Sequence, residues 1–247
     1  MRIDMTKSKF MTEFQDACER ATTCPFCVIA EKISFRCLQS YVTQADETGT
    51  STVRLGEAEG FCRSHASDLK YHLCSSDRGI LSIAASYEKM MGKLEDRLLG
   101  VLEESERPAR KMSNWFGRRE PAVYDAVTRL VQPIDSCPVC RTVQTLDVST
   151  LWAVAEHLMT DPDESIGWLS KSCGLCLPHF CALSNEVHDE TVARRLCQVE
   201  LDKISDLRER LSNYIQKHGY CYQDDEFSAW EGACWTDAID LMVGATG

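Results

Sequence analysis

The sequence contains two copies of one cysteine–histidine pattern, and this duplication restricts the possible folds more than any other feature. Each copy begins with Cys-Pro-x-Cys and ends with a glycine-led Cys-x-x-His. Three thiolates and one imidazole are the donor set of a closed tetrahedral zinc site, so each copy predicts one such site. The predicted metal ligands are Cys24, Cys27, Cys62 and His65 in the first copy and Cys137, Cys140, Cys176 and His179 in the second.

The recurrence of the pattern favours metal binding over coincidence. A single Cys-x-x-Cys pair is expected by chance in a chain with 14 cysteines, but two such pairs with matching partners are not. Thirty-four residues separate Cys27 from Cys62, and thirty-five separate Cys140 from Cys176. An iron–sulfur cluster and a thiol redox pair are the alternatives, although a redox Cys-x-x-Cys is typical of a βαβ unit and the surroundings here are helical.

Two further cysteines, Cys173 and Cys181, adjoin the second Cys-x-x-His segment. Cys173 forms an additional Cys-x-x-Cys with Cys176 and could replace His179 as a ligand. The first copy has no cysteine at the equivalent position, so we interpret Cys173 and Cys181 as neighbours of the site. The chain has no glycine-rich phosphate loop, nucleophile elbow or HExxH motif, and no catalytic residue is therefore assigned.

Helical periodicity surrounds both copies and repeats with them. Apolar residues at helical spacing predict a long helix over 79–106, and a shift of 113 positions aligns its stripe with the one that follows His179. We therefore predict an all-α fold of two pseudo-symmetric helical halves, each clamped by a Cys3His site that joins the two motifs of the same copy. The predicted organisation is a first repeat over 1–106, a linker over 107–119, a second repeat over 120–217 and a C-terminal closing helix within 218–247.

Charge and hydropathy limit the partners. The 247 residues are 44% hydrophobic, which suffices for a core, and the formal net charge of −11 argues against nucleic acid, although five basic residues cluster within 107–119. No run approaches the eighteen or so apolar residues of a membrane helix, so no membrane association is expected. The segment Met1–Lys7 has no apolar signal core, and we therefore expect a reducing cytoplasm in which the cysteines are ligands, core residues or redox groups.

The motifs also resemble those of a known group of proteins. The resemblance rests on both Cys-Pro-x-Cys and Cys-x-x-His pairs, on the segment 53–55 that leads to Gly60, and on the ending Trp235-Thr236-Asp237-Ala238 to Met242-Val243-Gly244. Together these features resemble a family of uncharacterised bacterial cysteine-rich proteins, mostly from anaerobic and Gram-positive lineages, over nearly the whole chain. The resemblance implies a cytoplasmic, mainly helical protein and implies no activity, substrate or partner.

Two functions remain open from the residues alone. The first is a binding or adaptor protein for an unknown protein or small-molecule partner, stabilised by two structural zinc ions per chain. The second is a thiol- or metal-dependent enzyme or redox sensor, in which a site opens or holds iron–sulfur. A closed four-ligand site leaves no position for a substrate, so we expect metals that are not catalytic. The oligomeric state cannot be derived from these patterns.

Overall fold

The computed structural model describes residues 2–43, 60–73, 77–106, 137–217 and 233–245. These residues form nine α-helices and no strand, which confirms the all-α prediction for the part of the chain described. In chain order the helices are α1 (Arg2–Arg20), α2 (Pro25–Thr43), α3 (Arg63–Leu73), α4 (Asp77–Glu106), α5 (Pro138–Thr160), α6 (Pro162–Lys171), α7 (Leu177–Glu186), α8 (Glu190–Lys217) and α9 (Cys234–Val243).

Each Cys-Pro-x-Cys motif forms the start of a helix. Pro25 and Pro138 are the first residues of α2 and α5, where the fixed φ of proline fits the helix and its missing N–H costs no hydrogen bond. The carbonyl of Cys24 accepts the first intrahelical bond, from the Val28 N–H at 3.1 Å. The first cysteine of each motif therefore stands just before a helix, and the second lies in its opening turn.

The helix order shows the duplication directly. A Cys-Pro-x-Cys helix, a Cys-x-x-His helix and a long helix follow each other as α2, α3 and α4, and again as α5, α7 and α8. The first residues of α4 and α8, Asp77 and Glu190, are 113 positions apart, as Pro25 and Pro138 are. Gly60 and Gly174 have φ of 114° and 100°, values that favour glycine, and each turns the chain into a Cys-x-x-His helix. The repeat is thus present in backbone conformation as well as in sequence.

The described chain divides into two compact units that do not follow the consecutive repeats. One unit comprises Met1–Ile33 and Val143–Gly247, and the other comprises Ser34–Thr142. The boundaries fall inside α2 and α5, so each unit contains one part of each Cys-Pro-x-Cys helix. The predicted boundaries at residues 106, 119 and 217 describe the repeat in the sequence and stay a prediction.

The unit that contains both chain termini has a packed apolar core. In this unit α6 packs against α1 and α8, and α9 packs against α7 and α8. The fully buried side chains at its centre include Phe14, Leu158, Leu169, Leu183 and Leu196. Burying a large aliphatic or aromatic side chain contributes about 1.5–3 kcal/mol, so this core can hold α7 and α9 in place around the site described below.

The segment Asp161-Pro162-Asp163, whose composition predicts a loop, instead begins helix α6. Asp161 is instead the N-cap of α6, and its Oδ1 accepts the Glu164 N–H at 3.2 Å. Pro162 occupies the first helical position. An aspartate followed by proline is a recognised helix start, and the missed signal was therefore present in the sequence.

Several predictions lie outside the described residues. These are a short extended segment around 52–55, the linker 107–119, a second entry helix over 121–130 and the polar break 218–226. The predicted terminal helix is described from Cys234 onward, as α9. Within the described residues, none of the helices has the length and apolar character needed to span a membrane.

Candidate metal centres

Eight donor side chains lie in two groups of four, and the groups are crossed between the repeats. The buried cluster consists of Cys24, Cys27, Cys176 and His179, and the exposed cluster consists of Cys62, His65, Cys137 and Cys140. Within each group all four ligand atoms lie within 4.8 Å of one another. These are the eight residues that the spacing selected, and each group could hold one metal ion.

The prediction that each site joins the two motifs of one copy is wrong. The Cys-Pro-x-Cys of the first repeat meets the Cys-x-x-His of the second, and the reverse pairing forms the other group. The physical reason is that the two repeats exchange their Cys-Pro-x-Cys helices between the compact units. Each unit nevertheless contains one complete Cys3His group, so the predicted count of two such groups is confirmed for the described residues.

The buried cluster forms where the N-termini of α2 and α7 meet. The Cys27 and Cys176 sulfurs are 3.7 Å apart. The Nδ1 atom of His179 lies 3.6 Å from Cys24 Sγ, 3.5 Å from Cys27 Sγ and 3.0 Å from Cys176 Sγ. The partial positive charge at the two helix N-termini favours thiolate over thiol, which is the form that binds metal.

The exposed cluster repeats this geometry at the N-termini of α3 and α5. The Cys62 and Cys140 sulfurs are 3.6 Å apart. The Nδ1 atom of His65 lies 3.2 Å from Cys62 Sγ, 3.5 Å from Cys137 Sγ and 3.3 Å from Cys140 Sγ. Sulfur atoms at these separations are not bonded, since a disulfide places them about 2.05 Å apart. Both clusters thus present one imidazole Nδ1 toward three thiol sulfurs.

The outer nitrogen of His179 has a carboxylate partner. His179 Nε2 lies 3.3 Å from Asp147 Oδ2, and the imidazole stacks on Phe26 with ring centroids 5.3 Å apart. Burial lowers the pKa of His179, but the contacts with Asp147 and Cys176 outweigh it and raise that pKa to about 12. A carboxylate on the outer nitrogen fixes the imidazole orientation and increases its strength as a ligand.

The sulfurs of the buried cluster share protons unequally. The hydrogen bonds with Cys24 and Cys27 lower the pKa of Cys176, and the bond with Cys176 raises the pKa of Cys27. Cys176 is therefore the sulfur that most readily carries negative charge. A metal ion would displace the shared protons, because only deprotonated thiols coordinate.

A polar side chain on each long helix anchors the loop before a Cys-x-x-His motif. The Leu175 N–H donates to Glu200 Oε1 at 2.9 Å, and Glu200 is only 3% exposed. Burial raises the pKa of Glu200 to about 7, although the bond from Leu175 opposes that shift. In the other unit the backbone of Phe61 hydrogen-bonds Tyr87, which is 113 positions before Glu200. The two long helices thus fix equivalent loops with different side chains.

The end of α9 closes one side of the buried cluster. Gly244 has φ 86°, and its N–H donates to the Asp240 carbonyl at 2.9 Å. A Cβ placed on Gly244 would lie 3.4 Å from Cys27 Sγ and 3.6 Å from Cys176 Sγ. The chain therefore passes within van der Waals contact of two candidate ligands, and a glycine provides the required conformation.

The two clusters differ in their exposure to solvent. The three cysteines of the buried cluster are all buried, with Cys176 only 1% exposed. In the exposed cluster Cys137 is buried, Cys62 is partly exposed and Cys140 is exposed. The equivalent positions Cys27 and Cys140 thus have opposite solvent access.

The remaining described cysteines belong to neither cluster. Cys173 and Cys181 are exposed and are not among the grouped ligands, as their interpretation as neighbours of the site predicted. Cys18 and Cys234 are buried, whereas Cys197 is exposed. Asp147, Glu200 and Gly244 were not predicted from the sequence as parts of the site.

Comparisons with other proteins give a family without a described activity. No curated protein matches this chain, and no solved structure matches it. The model of a family of unknown function, DUF6062, matches residues 5–240. Since that match covers nearly all of the sequence, the chain belongs to this family of unknown function.

Proposed function

We propose that this chain binds two zinc ions in structural Cys3His sites and serves as a binding or adaptor protein. The supporting observation is the spacing of the donor atoms. Zn–S bonds of about 2.3 Å and Zn–N bonds of about 2.0–2.1 Å in a tetrahedron place two sulfurs about 3.8 Å apart and a sulfur and a nitrogen about 3.5 Å apart. The Cys27–Cys176 and Cys62–Cys140 sulfur pairs are 3.7 and 3.6 Å apart, and the sulfur–Nδ1 distances run from 3.0 to 3.6 Å.

The same spacing disfavours an iron–sulfur cluster. In a multi-iron cluster the four protein ligands are divided among two or more irons, and ligands on different irons stand farther apart than the ligands of one ion. Here all four ligand atoms of each group lie within 4.8 Å of one another. Two thiolate sulfurs about 3.6–3.8 Å apart suit a single tetrahedral ion. A lone iron ion accepts the same ligands, so metal analysis decides between zinc and iron.

The proposed role of the metals is to join helices, and not to catalyse. With four protein ligands, each ion has no open position for water or substrate, in contrast to a catalytic zinc with three protein ligands. The activity of such a protein is the binding of a partner, which we propose to be a protein or small molecule in a reducing, cytoplasmic compartment. The net charge of −11 argues against nucleic acid as that partner.

Elemental analysis of the full chain, purified anaerobically without added metal, tests the proposal. We expect two zinc ions per chain and no iron. The variant Cys140→Ser should bind one zinc ion, whereas the control Cys197→Ser, which changes an exposed cysteine outside both clusters, should bind two. Two zinc ions in Cys140→Ser with unchanged melting behaviour would refute the site assignment.

A redox sensor is the second candidate, and the exposure of Cys140 favours it. Cys140 and Cys62 are 3.6 Å apart, and both have access to solvent. A hydroperoxide could therefore oxidise this pair to a disulfide and release the metal. Release of zinc at low oxidant concentration, with a Cys62–Cys140 disulfide in the peptide map, would favour the sensor over the adaptor.

A further inference from the structure

We infer that the exposed cluster is an exchangeable metal site, whereas the buried cluster retains its ion. The incoming ligand is a thiolate or chelating donor that enters at Cys140. This inference rests on the proposed function, because it requires that both clusters hold zinc. It adds that the two sites, which have the same ligand set, differ in how readily they exchange metal.

The first supporting observation is access to the ligand sulfurs. A competing donor must reach the metal before a protein ligand can leave. Cys140 is exposed and Cys62 is partly exposed, whereas the equivalent Cys27 is 8% exposed and the equivalent Cys176 is 1% exposed. Thiolate chemistry follows exposure when the ligands are otherwise the same. Solvent therefore reaches two sulfurs of the exposed cluster, whereas all three sulfurs of the buried cluster are buried.

The second observation is the cover over the buried cluster. The backbone at Gly244 lies close enough that an added Cβ would be 3.4 Å from Cys27 Sγ. In addition, Phe26 stacks on His179, and Phe14 packs on Phe26 with ring centroids 4.9 Å apart. A competing ligand would have to displace α9 or these rings before it could reach the ion.

The third observation is a difference in the support of the histidines. Asp147 holds the outer nitrogen of His179, and Asp147 is the tenth residue of α5. The tenth residue of α2, which occupies the equivalent place in the other repeat, is Ser34. Loss of such an outer carboxylate typically lowers metal affinity 10–100-fold.

The exchange is a ligand substitution without oxidation. The sulfur or nitrogen of the incoming donor forms a bond to zinc, and the bond from zinc to Cys140 Sγ breaks. The Cys140 thiolate then takes a proton from water. Successive substitutions at the other ligands transfer the ion to the donor, and the four protein ligands are left in their metal-free forms.

Zinc release from the full chain to the chromogenic chelator pyridylazoresorcinol, under reducing conditions, tests the inference. We expect two phases of one equivalent each, with the fast phase about 10–100 times faster than the slow one. Cys140→Ser should lose the fast phase alone. A chain that starts with fewer than two zinc ions would refute the proposed function, whereas two ions released in one phase would overturn the inference and leave the proposed function standing.

Alkylation of the wild-type chain keeps the test independent of any variant that fails to fold. Iodoacetamide added after the fast phase should modify Cys62, Cys137 and Cys140 and leave Cys24, Cys27 and Cys176 protected. The reverse order of labelling would overturn the inference.

A reciprocal exchange of side chains tests the histidine support. Asp147→Ser should accelerate the slow phase about 10–100-fold and leave the fast phase unchanged, and Ser34→Asp should slow the fast phase. The unchanged phase serves as the internal control for folding. An unaltered slow phase in Asp147→Ser would overturn the role of the carboxylate.

Discussion

The substitution Gly244→Ala should destabilise the protein through the backbone and not through steric overlap. The φ of 86° and ψ of 146° at Gly244 fall in a region that is essentially restricted to glycine. An added Cβ would meet Cys27 Sγ at 3.4 Å, which is an ordinary contact distance. The strain of an L-residue in this conformation costs about 1–3 kcal/mol, and that strain therefore sets the size of the effect.

Thermal unfolding of zinc-loaded protein measures the cost. A change of 1 kcal/mol shifts the Tm of a domain of 150–250 residues by about 2–4 °C, so Gly244→Ala should lower it by roughly 2–12 °C. Because the strained residue contacts the buried cluster, the slow phase of zinc release should accelerate while the fast phase stays unchanged.

Gly167→Ala provides a control of opposite sign in the same compact unit. Gly167 lies inside α6, and a Cβ there would meet nothing within 4 Å. Replacing a helical glycine with alanine stabilises by roughly 0.5–1 kcal/mol, so this variant should melt at a higher temperature than the parent. Equal melting temperatures for Gly244→Ala and the parent would refute the account of Gly244.

Two other substitutions test the ligand pairing and the loop anchor. Because the clusters are crossed, the double variant Cys24→Ser/Cys176→Ser should lose one zinc ion. The double variant Cys24→Ser/Cys62→Ser should lose both. Metal analysis of the two variants distinguishes crossed sites from sites within one repeat. Glu200→Gln keeps an acceptor for the Leu175 N–H but cannot ionise. The folded pKa of about 7 exceeds the ordinary glutamate pKa of 4.5, so the parent should lose stability relative to this variant as pH rises from about 4.5 to 7, by at most about 3 kcal/mol. Above pH 7 the difference in stability should stay constant. Denaturant melts that show the same difference at every pH would contradict this.

The eight candidate ligands could be predicted from sequence, but their grouping could not. The repeated spacing selected all eight residues because each copy supplies the four donors that a tetrahedral site needs. Cys24 and Cys27 can complete the same Cys3His set with His65 or with His179, so the chemistry is identical for both pairings. The choice depends on how α2 and α5 pack in the compact units, and local motifs carry no information about that packing.

The residues around the ligands left weaker signals. Glu200 interrupts an apolar stripe between Leu196 and Leu207 on α8, which marks a buried carboxylate that needs a donor. The comparison of Asp147 with Ser34 in the aligned repeats would have indicated that the two sites differ. Gly244 could not be assigned, because its contact with the sulfurs depends on the docking of α9.

Crossed ligation also dictates the order in which the sites can form on the ribosome. Cys62 and Cys140 are 78 residues apart, whereas Cys24 and His179 are 155 apart and enclose them in the sequence. At about 5–20 residues per second, the first two thiols of the buried cluster wait about 8–30 s for their last partner. All four residues of the exposed cluster are synthesised before His179 completes the buried cluster. A nascent chain can therefore load the exposed cluster first, and this is also the site that exchanges metal more readily in the finished protein.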